Sequence, residues 1–75
     1  MTVFAADKLS DIAGLRRGVE RSGQAVERRI GTSVASMAGH YRDSVAMIAS
    51  LTPGSSFLSA LGSELRRLEE LSAAW

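Results

Sequence analysis

Between Ile12 and Ile48 the apolar residues fall into three columns, each repeating every eleven residues. Ile12, Gly23, Val34 and Val45 form the first, Leu15, Val26, Met37 and Ile48 the second, and Val19, Ile30 and Tyr41 the third. Eleven residues make about three turns of α-helix, at about 3.67 residues per turn. The three columns therefore run side by side as one stripe along a long helix. No alternating apolar pattern of strand type interrupts it, so the sequence predicts an all-α protein.

The pattern extends this helix over residues 7–51, with residues 1–6 as a flexible end. Asp7, Ser10 and Asp11 sit near its expected start, where acidic groups favour the positive end of the helix dipole; Ser10 would be the N-cap, with an earlier start at Thr2 as the alternative. Gly14, Gly18, Gly23, Gly31 and Gly39 lie inside it, and each costs up to about 1 kcal/mol relative to alanine. Such a helix needs packing to persist, and a break near Gly31-Thr32-Ser33 is the main alternative. Gly14 with Gly18, and Gly31 with Ala35 and Gly39, are four residues apart. That spacing makes smooth strips where another backbone can come close.

Thr52-Pro53-Gly54-Ser55 predicts a turn, because proline disfavours helix in the residue before it and Pro-Gly suits a bend. Ser55 or Ser56 would cap a second helix over 56–72. There Leu58, Leu61, Leu65 and Leu68 alternate steps of three and four, a heptad-like seam. Arg66 with Glu70, and Glu64 with Arg67, are neighbours on its outer face. The fold expected is a helical hairpin: a long helix, a Pro-Gly turn and a shorter antiparallel helix. Folded back from Pro53, the short helix reaches helix one only to about residue 30. It would form an intrachain core with Ile30, Val34, Met37, Tyr41, Val45 and Ile48. Leu9, Ile12, Leu15, Val19 and Val26 would stay in water.

Composition sharpens that mismatch. A chain of 75 residues buries only about 60% of the surface its unfolded form exposes. With no cysteine and one histidine, neither a disulfide nor a thiolate or histidine-rich metal site is expected within the chain. No cofactor is expected. A partner is what remains to complete the core. The expectation is that Leu9, Ile12, Leu15, Val19 and Val26, with close approach at Gly14 and Gly18, bind a second copy or another helical protein.

The other constellations are weaker. His40-Tyr41-Arg42-Asp43 is the one cluster with catalytic residue types, but two helices offer no pocket and no paired carboxylates converge on it. No enzymatic activity is expected. Net charge is +1, which gives no global drive toward nucleic acid or membrane. Arg16, Arg17, Arg21, Arg28 and Arg29 form a local basic region, read first as a solvated face. Arg17, Arg21 and Arg28 are the candidates for contact with an anionic partner, and the lack of interleaved aromatics argues against nucleic acid. Residues 44–63 contain no charge, nearly bilayer length. With Pro-Gly at their middle they read as a buried hairpin tip, a membrane-inserted hairpin being the alternative. Trp75 is a candidate to dock on a neighbouring subunit. The start, MTVFAADKLSD, has no basic segment or long apolar run, so no secretory signal is expected. Eleven alanines, eleven serines and eight arginines against one lysine suggest a high-GC bacterial gene.

In size and shape, a hairpin that turns at Pro53 and ends Leu71-Ser72-Ala73-Ala74-Trp75 resembles small type III secretion components, such as needle subunits and helical co-chaperones. That resemblance implies a self-associating structural subunit, or an adaptor that binds a different protein. It carries over no functional residues.

Overall fold

The computed structural model describes residues 2–73 and 75, with side chains from residue 3 onward. Four helices follow one another: α1 (Thr2–Ser22), α2 (Val26–Ile30), α3 (Val34–Leu51) and α4 (Leu58–Ala73), with a 3-10 turn at Gly23–Ala25 between the first two. The architecture is all-α, and the chain returns after Pro53 as expected.

The long helix is divided, and glycine divides it. Gly23 has φ +60° and Gly31 has φ +76°. Both are left-handed conformations that glycine adopts without the clash a Cβ would bring. Gly23 stops α1, and Gly31 stops α2, where its N–H donates to the Glu27 carbonyl at 3.0 Å. Two groups then restart the chain as α3. The Ser33 hydroxyl accepts from the Ser36 N–H at 3.0 Å, and the Glu27 carboxylate accepts from the Val34 N–H at 2.7 Å. Two of α3's first free amide donors are thereby satisfied. The break anticipated at Gly31 is present, and a second lies at Gly23.

The consequence is a three-helix bundle. Ion pairs Arg16–Glu64 and Glu20–Arg67 advance together along α1 and α4, so these two run parallel. Arg42–Glu69 joins α3 to α4 in antiparallel order. α4 packs extensively on both α1 and α3, which touch each other far less. The molecule measures 36 × 19 × 18 Å.

The stripe expected to stand in water is covered by this arrangement. Ile12, Leu15, Val19 and Val26 are buried in one core with Ala5, Val34, Ala38, Tyr41, Ile48, Leu61, Leu65 and Leu68. Leu9, Met37, Val45, Phe57, Leu58 and Leu71 pack against it, half-buried. A straight helix could not have done this. Once bent back at residues 23–33, both halves of the stripe reach the same leucine seam. The accessible surface is 4544 Å², close to the roughly 4,450 Å² of a compact folded monomer of this mass.

Several expected details differ. Residues 2–6 belong to α1, since Ala5 is buried and Phe4 packs on the core; Met1 lies outside the described residues. The Lys8 ammonium sits 5.4 Å from the Phe4 ring centroid, a cation–π contact in this first part of the helix. Asp7, Ser10 and Asp11 are therefore mid-helix and exposed, not at a helix start. Ile30, placed in the core by its column, is 36% exposed, because α2 ends there and Gly31 turns the chain away. Glu64 pairs with Arg16 of α1, while Arg67 pairs with Glu20 and Glu70. The Ser55 hydroxyl accepts from the Phe57 N–H at 3.2 Å, just ahead of α4. The hairpin tip is not wholly buried: Met47 is 44% and Leu51 64% exposed.

Substituting alanine at Gly23 or Gly31 should cost about 1 kcal/mol each, since the added Cβ opposes the left-handed backbone. Leu68→Ala should cost about 2–5 kcal/mol through its cavity. Urea denaturation checks both, and an unchanged midpoint for the glycine variants would argue for a straight α1–α3 helix.

Candidate interaction groove

The wheel of α1 has a wholly exposed strip. Val3, Asp7, Ser10, Gly14, Arg17 and Arg21 alternate steps of four and three, and all six are exposed. One edge of this strip borders the seam between α1 and α3, where the bundle is least closed. A groove of about 360 Å³ opens there. Leu15 and Val26 form its floor, and Ile30, Met37 and Tyr41 its far wall. Ser10, Asp11 and Gly14 form its near wall, with Arg29 at the rim.

Glycine shapes the groove in two ways. At Gly14 an added Cβ would meet nothing within 4 Å, so this backbone faces open space. At Gly18 a Cβ would lie 3.2 Å from the Arg29 guanidinium and 3.3 Å from Val26 Cγ2. Gly18 is thus the notch where α2 folds back onto α1. The close approach expected at Gly18 occurs, and its occupant is the chain's own α2. Ile12, Leu15, Val19 and Val26 are buried in the chain's own core and Leu9 packs half-buried against it, so the stripe is not a free contact surface; only Leu15 and Val26 of the five line the groove. Among the residues expected to bind a partner, Gly14 remains open.

The charges divide into two sets. Arg16 bridges Glu64 and Glu20, and Arg67 reaches Glu20 at 3.5 Å, so α1 and α4 share a network of four groups. The hydrogen bond to Glu64 is the main cause holding the Arg16 guanidinium above its ordinary pKa. By contrast, Asp7, Asp11, Arg17, Arg21, Arg28 and Arg29 make no ion pair among the described residues. Arg17, Arg21 and Arg28, expected as contacts for an anionic partner, are exposed. Arg28 lines a separate shallow hollow with Gln24, Ala25 and Glu27.

His40-Tyr41-Arg42-Asp43 is dispersed by the fold. His40 and Asp43 are exposed, Arg42 pairs with Glu69, and Tyr41 is buried at the groove wall. Burial, then the nearby Asp11 carboxylate, raises the Tyr41 pKa above its usual 10.0. Among the described residues no group of three His, Cys, Asp or Glu side chains could hold a metal ion. No described helix is long and apolar enough to cross a membrane. Trp75 is 44% exposed.

Sequence reasoning missed Ser10, Asp11 and Arg29 as groove residues, and placed Ile30, Met37 and Tyr41 in the intrachain core alone. The three-and-four spacing of the exposed strip could have found Ser10. Arg29 and Ile30 required knowing that Gly31 reverses the chain. Compared with protein-family models, curated proteins and solved structures, the chain has no match.

The raised Tyr41 pKa gives a signed prediction. Between the unfolded pKa near 10 and the higher folded one, the folded state holds the phenol proton and the unfolded state has lost it. This contribution to stability is full below pH 10 and lost as pH rises through the folded value. Ultraviolet absorbance should show the single tyrosine titrating above 10, and Asp11→Asn should bring it part of the way back. A titration at 10 in the folded protein would contradict the buried placement.

Proposed function

We propose that this chain is a non-enzymatic protein–protein interaction module that presents the α1–α3 groove to a helix of a binding partner. The observation that carries the reading is the open backbone at Gly14 above an apolar floor of Leu15 and Val26. A helix can lie close to such a backbone, since no side chain holds it off. Ile30, which lines the groove and is exposed, adds apolar area. The unpaired charges of α1 would orient the incoming helix. A role as a structural subunit of a larger helical assembly, or as an adaptor, follows from which partner fills the groove.

A photo-reactive residue in place of Arg29, which lines the groove, should crosslink to a protein partner, while one at the exposed Ser63 of α4 should not. Because Arg29 is exposed and makes no ion pair among the described residues, the substitution should leave thermal unfolding within about 1 kcal/mol of the parent. Ile30→Asp should suppress the Arg29 crosslink with comparably little effect on stability. Equal crosslinking from both positions, or none from Arg29, would overturn the proposal.

A further inference from the structure

We infer that the helix filling this groove is α1 of a second copy, lying antiparallel and crossing at Gly14. The inference rests on the interaction reading above and adds the identity and orientation of the partner.

The argument is the order of charges about Gly14. Asp7 lies seven residues before it and Arg21 seven after; Asp11 lies three before and Arg17 three after. Intervals of three and seven residues are about one and two helical turns, so all four stay near the exposed face that holds Gly14. All four are exposed, and none has an ion-pair partner among the described residues. The strip is acidic toward one end and basic toward the other. An isologous two-fold contact reverses one copy against the other. When two such helices cross at Gly14, residues equally distant from it on opposite sides meet. Asp7 then faces the second copy's Arg21, and Asp11 faces the second copy's Arg17. The two-fold axis repeats both pairs, giving four across the contact. A parallel arrangement would set like charges together.

Geometry agrees with charge. The crossing point needs a residue without a side chain; Gly14 is the one glycine of the strip, and open space lies where its Cβ would be. Ser10, one turn away, is also small. Away from the crossing, the reversal brings the end of one copy that carries Val3, Met47 and Leu51, which are 74%, 44% and 64% exposed, toward the end of the other that carries Ala25 and Ile30. The broad side of the molecule is 36 by 19 Å. Even a flat contact over that whole side would cover about 680 Å² per copy, short of the roughly 800 Å² per partner of a standard stable interface, so the dimer expected is a weak one.

The test is charge exchange, read by light scattering after size exclusion, with circular dichroism as a fold control. The parent protein should run at twice its 8.0 kDa chain mass and dissociate as salt rises. The double variant Asp7→Arg, Asp11→Arg should be a folded monomer, and so should Arg17→Asp, Arg21→Asp. Each should raise the dissociation constant roughly a hundredfold, through four contacts turned from attractive to repulsive. Mixed in equal amounts, the two variants should form a heterodimer, because every contact is again between opposite charges. Gly14→Gln, which leaves the monomer's packing untouched, should abolish the dimer of the parent chain. A dimer that survives both double variants, or variants that fail to pair on mixing, would overturn the antiparallel contact. A parent protein that is monomeric at millimolar concentration would overturn the second copy as partner. Selective photo-crosslinking from Arg29 to a different protein would then leave the groove reading standing, whereas its absence would remove both.

Discussion

Two left-handed glycines decide how the apolar stripe is used. A single straight helix over residues 7–51 would span roughly 65 Å, and one short second helix could cover less than half of it. With Gly23 at φ +60° and Gly31 at φ +76°, the stripe is cut and folded so that its halves lie side by side. Leu61, Leu65 and Leu68 then serve both halves at once, all three buried. Each such side chain contributes about 1.5–3 kcal/mol on burial. Doubling the use of the seam is how a chain this short assembles a core from three helices. The corner between α2 and α3 is held by Glu27, whose carboxylate receives the Val34 N–H. The same residue therefore ends one helix's surface and begins the next.

Electrostatics follow from that fold in two distinct ways. Arg16, Glu20, Glu64 and Arg67 sit along the seam between two parallel helices and satisfy one another. They are partly exposed, so they fix the alignment of α1 and α4 more than they add to stability. The other side of α1 carries Asp7, Asp11, Arg17 and Arg21, which make no ion pair among the described residues. One helix thus has an inner face closed by leucines, one flank closed by ion pairs, and an outer strip that is left open. The openness is concentrated where α1 and α3 barely touch and where Gly14 has no side chain.

Much of the helical content was legible because it rests on local chemistry. The eleven-residue columns, Pro53-Gly54 and the spacing of Leu58, Leu61, Leu65 and Leu68 are all sequence-near signals. Val34, Tyr41, Ile48, Leu61, Leu65 and Leu68 were read as core and are buried. The fate of Ile12, Leu15, Val19 and Val26 was not legible. A stripe says that a face must be covered but not by what, and continuity through five glycines is a matter of one backbone dihedral at two of them. Ile30 shows the limit most clearly. Its column is correct, yet it lies one residue before a reversal that periodicity cannot register.

The sequence alone therefore determined the helical class, the turn at Pro53, the leucine seam and half of the core positions, since each depends on residues within a few turns of one another. Tertiary structure decided which surface stays free. Whether residues 9–26 face solvent or α4 depends on the chain direction after Gly23 and Gly31, a long-range outcome of burying the most apolar area. That outcome closed the stripe, opened the groove at Gly14, and left the outer charges of α1 without an ion pair among the described residues.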